Sequence, residues 1–210
     1  MDPVQAPDNS PLRKTRFVGI LLLLLVGLGL VDWWYEHRKE TRYDEVILRT
    51  ARLHGVDPAL VKAVILRESK FNPRVRGRVG EIGLMQVRPL TAEEWAKAVL
   101  KQKAFEGDLF NPETNVEIGT WYLGKLLLRY RRADNPVAYA LADYNAGRSN
   151  VLRWNRGPAE TNSSAFVTQI TFPGTQDYLQ SIQRRATRYR TAFQKRVSQS
   201  MDVSSSQRSS

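Results

Sequence analysis

DPALVKAVILRESKFNP, running from Asp57 to Pro73, is the stretch that decides how the chain folds. Asp57 followed by Pro58 predicts a helix start, because the carboxylate can accept from the first free amides and proline needs no amide at the first helical position. Val56 and Val61 stand where a hydrophobic staple would hold that entry. At about 100° per residue, Leu60, Val61, Val64 and Ile65 form one apolar stripe, and Glu68 falls in the middle of it, one turn beyond Val64 and Ile65. Lys62, Ser69 and Lys70 are expected to point elsewhere, so the helix does not lack a solvated side for a glutamate. Two readings fit: a carboxylate placed on a buried face for its chemistry, or a residue at a fraying end just before the breaker Asn72-Pro73.

Outward from this helix the chain reads as further helices. Tyr43, Ile47 and Ala51 with Leu48 predict a short helix to His54, closed by Gly55 in the left-handed conformation. After Pro73 a turn-rich loop, RVRGRVGE, alternates three arginines and draws backbone freedom from Gly77 and Gly80. Gly83-Leu84-Met85-Gln86-Val87 reads as a buried connector whose glutamine caps backbone groups. Thr91 with Glu94 predicts a capping box opening a helix through Trp95 and Leu100. Asn111-Pro112 opens the next, with Ile118, Trp121, Tyr122 and Leu126 as core positions. Asn135-Pro136 opens another, through Tyr139 and Leu141 to a stop at Gly147, which leaves Asn145 at a helix end where side chains reach a groove. A last helix from about Gln176 carries Tyr178, Ile182, Tyr189 and Phe193 on one face. No alternating strand pattern and no internal repeat occurs, so the fold class is mainly α.

Composition narrows the chemistry. The 210 residues suffice for one core with extensions, and cysteine is absent, which excludes disulfides and thiolate zinc sites. With only His37 and His54 available, a metal site would be all-carboxylate, and no metal or other cofactor is expected. A Ser-His-Asp triad would need His54, which suits a helix C-terminal dipole partner better. Thirty-two Lys and Arg against twenty-one Asp and Glu give a net charge of +11, which attracts nucleic acid, anionic lipid or an acidic cell wall. The basic residues are scattered, clustering near Arg74 to Arg78, Arg129 to Arg132 and Arg184 to Arg196, instead of forming the single stripe of a nucleic-acid module, so no nucleic-acid partner is expected.

Phe17 to Val31, FVGILLLLLVGLGLV, is a continuous apolar run followed by the aromatic cluster Trp33, Trp34 and Tyr35, which extends it to bilayer thickness. Arg13, Lys14 and Arg16 precede it and put the N-terminus in the cytoplasm. A cleaved signal peptide has a similar run and flank, but the residues after the run are bulky and Gly27-Leu28-Gly29 lies inside it, which favours an uncleaved anchor. The expected organisation is a cytoplasmic stretch 1–16, a transmembrane signal anchor 17–34, a juxtamembrane linker 35–42, a helical domain 43–197 and a Ser-rich disordered tail 198–210.

Three separated pieces then stand together: Arg67-Glu68-Ser69 with Phe71-Asn72-Pro73, Gly83-Leu84-Met85-Gln86, and Tyr144-Asn145-Ala146-Gly147. In this order, with Phe110-Asn111-Pro112-Glu113-Thr114-Asn115 between them and Tyr178 after them, the set resembles the catalytic domain of the soluble-type (SLT) lytic transglycosylases, relatives of goose-type lysozyme that cut bacterial peptidoglycan. The resemblance covers roughly Tyr43 to Arg190. It implies a lysozyme-like helical domain with a glycan cleft and a single catalytic acid at Glu68. It also implies that Ser69, Met85, Gln86, Asn145, Ala146 and Tyr178 serve the substrate, with Tyr178 approaching the acid. The chain departs from the family's pattern at Glu81, at Arg148-Ser149 and at Gln176-Asp177. The implied partners are a peptidoglycan glycan strand and the bacterial inner membrane, with the domain in the periplasm. Non-hydrolytic cleavage of the MurNAc-GlcNAc β-1,4 bond would leave 1,6-anhydroMurNAc ends. The alternatives are a hydrolysing muramidase, in which Glu81 or Asp143 activates water, and a noncatalytic peptidoglycan-binding protein. Burial on the stripe is expected to raise the pKa of Glu68 to about 6.

Overall fold

A computed structural model describes the backbone of residues 11–208 and the side chains of residues 23–34 and 37–195. The chain divides after Arg42 into two compact units. The first contains one helix, α1, Pro11–Thr41. Its apolar side chains Leu23, Leu28 and Val31, and the two tryptophans Trp33 and Trp34, are exposed. Trp33 stacks on His37 at 5.4 Å, and the Arg38 guanidinium lies 4.8 Å from the ring centre of Trp34. Among the described residues no helix is long and apolar enough to cross a membrane. The side chains of residues 17–22, where the expected span begins, lie outside the described residues, as does most of the expected cytoplasmic stretch 1–16. The segment expected as a juxtamembrane linker continues α1 to Thr41.

The second unit is built around α3, Pro58–Ser69, which is buried from Ala59 through Ile65 without a break. A helix apolar on nearly every side belongs inside a core, and α2 (Asp44–His54) and α9 (Pro173–Arg208) cover it. The sequence predicts a solvated side holding Lys62 and Ser69. Lys62 is instead 4% exposed and Ser69 6%. The Lys62 ammonium donates to Asp44 Oδ1 at 2.5 Å and lies 5.0 and 5.3 Å from the ring centres of Tyr189 and Phe193. Ion pairing and cation–π contact offset its desolvation, and neither partner is visible within the local pattern. Asp57 caps the helix, accepting from the amide of Ala59 at 2.9 Å, while its other oxygen accepts from Arg190 of α9. At the far end Lys70 (φ 50°) and Phe71 (φ 61°) are both left-handed. Two such non-glycine residues in succession are costly, and the buried Phe71 ring is what anchors the turn.

Gly55 closes α2 at φ 64°, and His54 pairs with Glu117 of α5 at 2.6 Å, a tertiary contact beyond the dipole role expected for it. Helix α4, Pro89–Trp95, begins two residues before Thr91, with no side-chain cap, because Pro89 is already set for the first turn. It passes into a π turn over Ala96–Leu100. Asn111 Oδ1 caps α5, Pro112–Arg129, accepting from the amides of Glu113 and Thr114 at 3.0 and 3.1 Å. Helix α6, Pro136–Ala146, stops at Gly147 (φ 82°).

The short helices α7 (Arg148–Trp154) and α8 (Ser163–Gln169), and the 3-10 turn Gly157–Glu160 between them, carry too few residues for a period to show in sequence. Helix α9 starts at Pro173, ahead of Gln176, and runs to Arg208 across most of the stretch expected to be disordered. No proline or glycine after Gly174 interrupts it. Among the described residues there is no strand, only isolated bridges Arg76–Ile82 and Ile82–Val87.

The buried pair makes a specific demand on stability. Asp44→Ala leaves the Lys62 ammonium without its counter-ion and is expected to cost about 3–5 kcal/mol. The double substitution Asp44→Leu/Lys62→Met is expected to recover most of that loss, and chemical denaturation of the three proteins measures it.

Candidate active site

Glu68 occupies the last turn of α3 and is half-buried. Its Oε1 accepts a 2.5 Å hydrogen bond from the hydroxyl of Tyr178, which is 3% exposed on α9. The packing of α9 along α3 brings the two together across 110 residues of sequence. Burial pushes the Glu68 carboxyl from its ordinary 4.5 up to about 7, with the Tyr178 hydrogen bond and Arg67 working against that rise and Glu81 adding to it. Burial, and next the charge of Glu68, holds the Tyr178 phenol well above its ordinary value, so that it remains a donor.

A cavity of about 480 Å³ opens beside Glu68, and Glu81, Gln86, Tyr122, Asn145 and Ala146 are among its lining residues. One wall is the loop after α3. Ile82 and Val87 exchange backbone hydrogen bonds at 3.0 and 2.9 Å, which closes a tight turn over Gly83 to Gln86. Gly83 is needed there: its φ is 80°, and a Cβ would come within 2.6 Å of the Leu109 carbonyl oxygen. Gln86 is itself left-handed (φ 49°), and its Nε2 donates to the carbonyls of Gly83 (2.9 Å) and Val75 (3.2 Å). Both donations come from the nitrogen, so its Oε1 is the end left to accept.

The opposite wall is the end of α6. Asn145 Oδ1 accepts from the Thr175 hydroxyl at 2.9 Å, which orients the amide with its NH2 group as the end left to donate. The Tyr144 hydroxyl donates to the Met85 carbonyl at 2.7 Å, and its ring meets that of Tyr122 at 5.6 Å.

Of the residues implicated by sequence, Glu68, Gln86, Asn145 and Ala146 therefore share one cavity. Ser69, Met85 and Tyr178 are not among its lining residues. Met85 is fully buried against Gly119 of α5, where an added Cβ would stand 2.5 Å from its sulfur. It lies beneath the floor because a glycine on the helix opens a slot for it. Ser69 donates to the carbonyls of Ile65 (3.1 Å) and Leu84 (2.8 Å), so its hydroxyl ties the loop to α3 and does not face the opening. Tyr178 reaches Glu68 from behind.

Asn115 on α5, wholly buried, closes a piece quoted for the resemblance, but the sequence reading gave it no role. Its Oδ1 accepts from the Met85 amide at 2.8 Å, and its Nδ2 donates to the carbonyls of Ile82 (2.7 Å) and Leu109 (2.8 Å). The signal for it was an amide side chain one turn before Ile118, on the face that the helix buries. Tyr122 was read as core; it packs partly buried against the core and also borders the cavity. Asp143 also lines the cavity, but its Oδ2 accepts from Arg129 Nη1 at 2.6 Å and the Tyr130 hydroxyl at 2.7 Å, and its side chain is 1% exposed. Glu81 borders the cavity and accepts from the Val79 amide at 3.2 Å. Among the described residues no group of His, Cys, Asp and Glu is arranged to hold a metal ion.

Comparison with known proteins gives this arrangement a family. Residues 45–167 match the model of the transglycosylase SLT domain. The soluble lytic murein transglycosylase of Salmonella typhimurium is 33% identical over 149 residues, covering 70% of this chain and 23% of that protein. The membrane-bound lytic murein transglycosylase C of Yersinia pestis is 33% identical over 149 residues, covering 67% of this chain and 40% of that protein. Among solved structures, an inactive mutant of the lytic transglycosylase Slt from Pseudomonas aeruginosa superposes with a TM-score of 0.66 at 25% identity, over 73% of this chain and 25% of that one. The 70 kDa soluble lytic transglycosylase of Escherichia coli gives a TM-score of 0.63 at 29% identity, over 72% of this chain and 24% of that one. The chain thus spans between about a quarter and two fifths of the curated relatives it matches. With well over half of its residues matching the family model, the chain belongs to the transglycosylase SLT domain family.

Proposed function

We propose that this protein is a peptidoglycan lytic transglycosylase that uses Glu68 as its one acid and base. The observation that carries this reading is a carboxyl group held at a pKa of about 7 at the edge of a cavity, with a hydrogen-bond donor fixed behind it. A glycosidase ordinarily needs two carboxylates, one to protonate the leaving oxygen and one to attack the anomeric carbon or activate water. Here Asp143 is taken up by Arg129 and Tyr130. The substrate can supply the second function itself.

In the proposed reaction the protonated Glu68 gives its proton to the glycosidic oxygen as the bond to the MurNAc C1 breaks. The carbonyl oxygen of the 2-acetamido group bonds to C1 from the other face. The Glu68 carboxylate then takes the proton of the C6 hydroxyl, whose oxygen displaces the acetamido oxygen and closes the 1,6-anhydro ring. Atoms balance without water. An internal nucleophile carries an effective concentration that a dissolved one lacks, and one group suffices for both proton transfers because its pKa lies near neutrality. Gln86 Oε1 and the Asn145 amide NH2 are suited to hold the sugar's amide and hydroxyl groups, with Ala146 against its ring. Tyr178 positions the acid. Ser69 and Met85 serve the substrate indirectly, by holding the loop that carries Gln86.

The apolar run Phe17 to Val31, its basic flank and its aromatic end support a single-pass anchor over residues 17–34. The first sixteen residues would then be cytoplasmic and the domain from Tyr43 to about residue 197 periplasmic. Protease added to spheroplasts is expected to remove the domain. A soluble mature protein beginning near residue 32 would refute the anchor.

Glu68→Gln is expected to lower release of muropeptides from purified sacculi by at least about a thousandfold while glycan binding persists. Wild-type products should be one water lighter than hydrolytic ones by mass, and reducing ends would assign the protein to the muramidases, with Glu81 the residue to test. The acid must be protonated at the first step, so the wild-type rate should fall as pH rises through about 7. Stability follows the same group. Its folded pKa lies above the unfolded 4.5, so the stability it contributes below 4.5 is lost as pH rises toward 7, and Glu68→Gln should gain on wild type across that window. Tyr178→Phe removes a hydrogen bond that lowers the Glu68 pKa, so the alkaline limb of its pH–rate profile should move to higher pH and its turnover should fall about tenfold.

A further inference from the structure

Three carboxyl groups line the cavity: Glu68, Asp143 and Glu81. Glu68 is the acid of the proposed reaction, and Asp143 is neutralised by Arg129. Glu81, one of the positions at which the chain departs from its family's pattern, forms no ion pair among the described residues. An uncompensated carboxylate is ordinary on an outer surface. Inside a cavity where charge develops during a reaction, it alters the barrier.

The turn that carries Glu81 holds its side chain in one place. The bridge between Arg76 and Ile82 and the bond from the Gly77 amide to the Glu81 carbonyl (2.7 Å) close the loop, and the carboxylate folds back across it, where Oε2 accepts from the Val79 amide at 3.2 Å. Gly77 makes the room: a Cβ there would collide with Glu81 Oε2 and stand 2.9 Å from Gln86 Oε1. The carboxylate and the amide oxygen therefore come together over one bare Cα. Both are acceptors, since Gln86 has committed its nitrogen to Gly83 and Val75, and among the described residues no side chain donates to either. Two acceptor ends that converge at a cavity wall without a side-chain donor between them suit a donor brought by the ligand.

We propose that the Glu81 carboxylate, beside Gln86 Oε1, accepts the N–H of the muramyl 2-acetamido group and stabilises the positive charge that this group acquires. The proposal rests on the transglycosylase reading and deepens it, adding a second catalytic residue that transfers no proton. As the glycosidic bond breaks, its electron pair goes to the leaving oxygen, which takes the Glu68 proton, and a lone pair of the acetamido oxygen forms the bond to C1. The nitrogen lone pair then shares the positive charge of the resulting oxazolinium ring, whose N–H stays in place. When the C6 oxygen bonds to C1, the bond from C1 to the acetamido oxygen breaks, the neutral acetamide is restored and the C6 proton passes to Glu68. Of the sugar's N–H and O–H groups, the acetamido N–H is the one that becomes cationic and then neutral again. A fixed carboxylate on it therefore binds the transition state more tightly than the ground state.

Glu81→Gln keeps the size and an oxygen acceptor and removes the charge. On soluble peptidoglycan strands, at a pH low enough for Glu68 to be protonated in both proteins, its kcat is expected to fall about a hundredfold while KM stays within about twofold of wild type. Inhibition by a muramyl thiazoline, a ring analogue of the cyclised intermediate, should weaken about tenfold, and inhibition by the 1,6-anhydro product should stay unchanged. The alkaline limb of the variant's pH–rate profile should also move to lower pH, because the charge of Glu81 raises the Glu68 pKa. That displacement with a plateau rate equal to wild type would limit Glu81 to tuning the acid and overturn the proposal. A lower melting temperature with equal loss of affinity for thiazoline and product would make Glu81 a brace for the Val79 turn, and would overturn it too. So would a variant that loses reducing-end products and keeps anhydro ones, which would make Glu81 a base for water. If the wild type releases no 1,6-anhydro ends, the transglycosylase reading itself has failed.

Discussion

Everything in the domain depends on a helix that has almost no solvated side. Because α3 is enclosed from Ala59 to Ile65, the residue at its exit inherits a low-dielectric environment without any special device. The Glu68 carboxyl is pushed up to about 7 chiefly because water has been removed from around it, and two opposing influences, the Tyr178 hydroxyl and Arg67, are too weak to reverse this. The same enclosure imposes costs. Lys62 must be neutralised by Asp44, and the chain must leave the helix through two left-handed residues before it can build the cavity wall.

The wall is held from three directions, by two groups that do not line the cavity, Ser69 and Asn115, and by Tyr144, which does. Ser69 grips Leu84 from α3, Asn115 grips Ile82 and Met85 from α5, and Tyr144 grips the Met85 carbonyl from α6. Three helices that meet only in the tertiary fold thus fix one short turn, and Gln86 is aimed by that turn. Side chains on rigid helices set the loop, and the loop sets where Gln86 stands in the cavity wall. An apolar substitute of similar size at any of these grips would keep the core filled and still let the wall drift.

Much of this was legible in the sequence, for physical reasons that can be named. Asp57-Pro58, Asn111-Pro112, Asn135-Pro136 and the glycines at 55 and 147 mark helix ends by local chemistry, and the helices begin and stop there. The place of Glu68 on the apolar stripe followed from periodicity. What stayed hidden depends on partners distant in the chain. Lys62 looks like a surface residue until Asp44, Tyr189 and Phe193 close over it, and Met85 looks like a lining residue until the gap at Gly119 accepts it. Thr91 and Glu94 spell a cap that Pro89 pre-empted, while the seven-residue helices α7 and α8 were too brief for any pattern to declare itself.

The positive φ of Gln86 has a bearing on how this site can drift over evolutionary time. A β-branched side chain is strongly disfavoured in that backbone conformation, whatever hydrogen bonds it offers. Glycine would relax the backbone and delete the amide, and asparagine tolerates the conformation but is one methylene shorter. The position is guarded twice, once by the sugar chemistry proposed for it and once by backbone geometry alone, so a lineage that abandoned glycan cleavage would still find it slow to change.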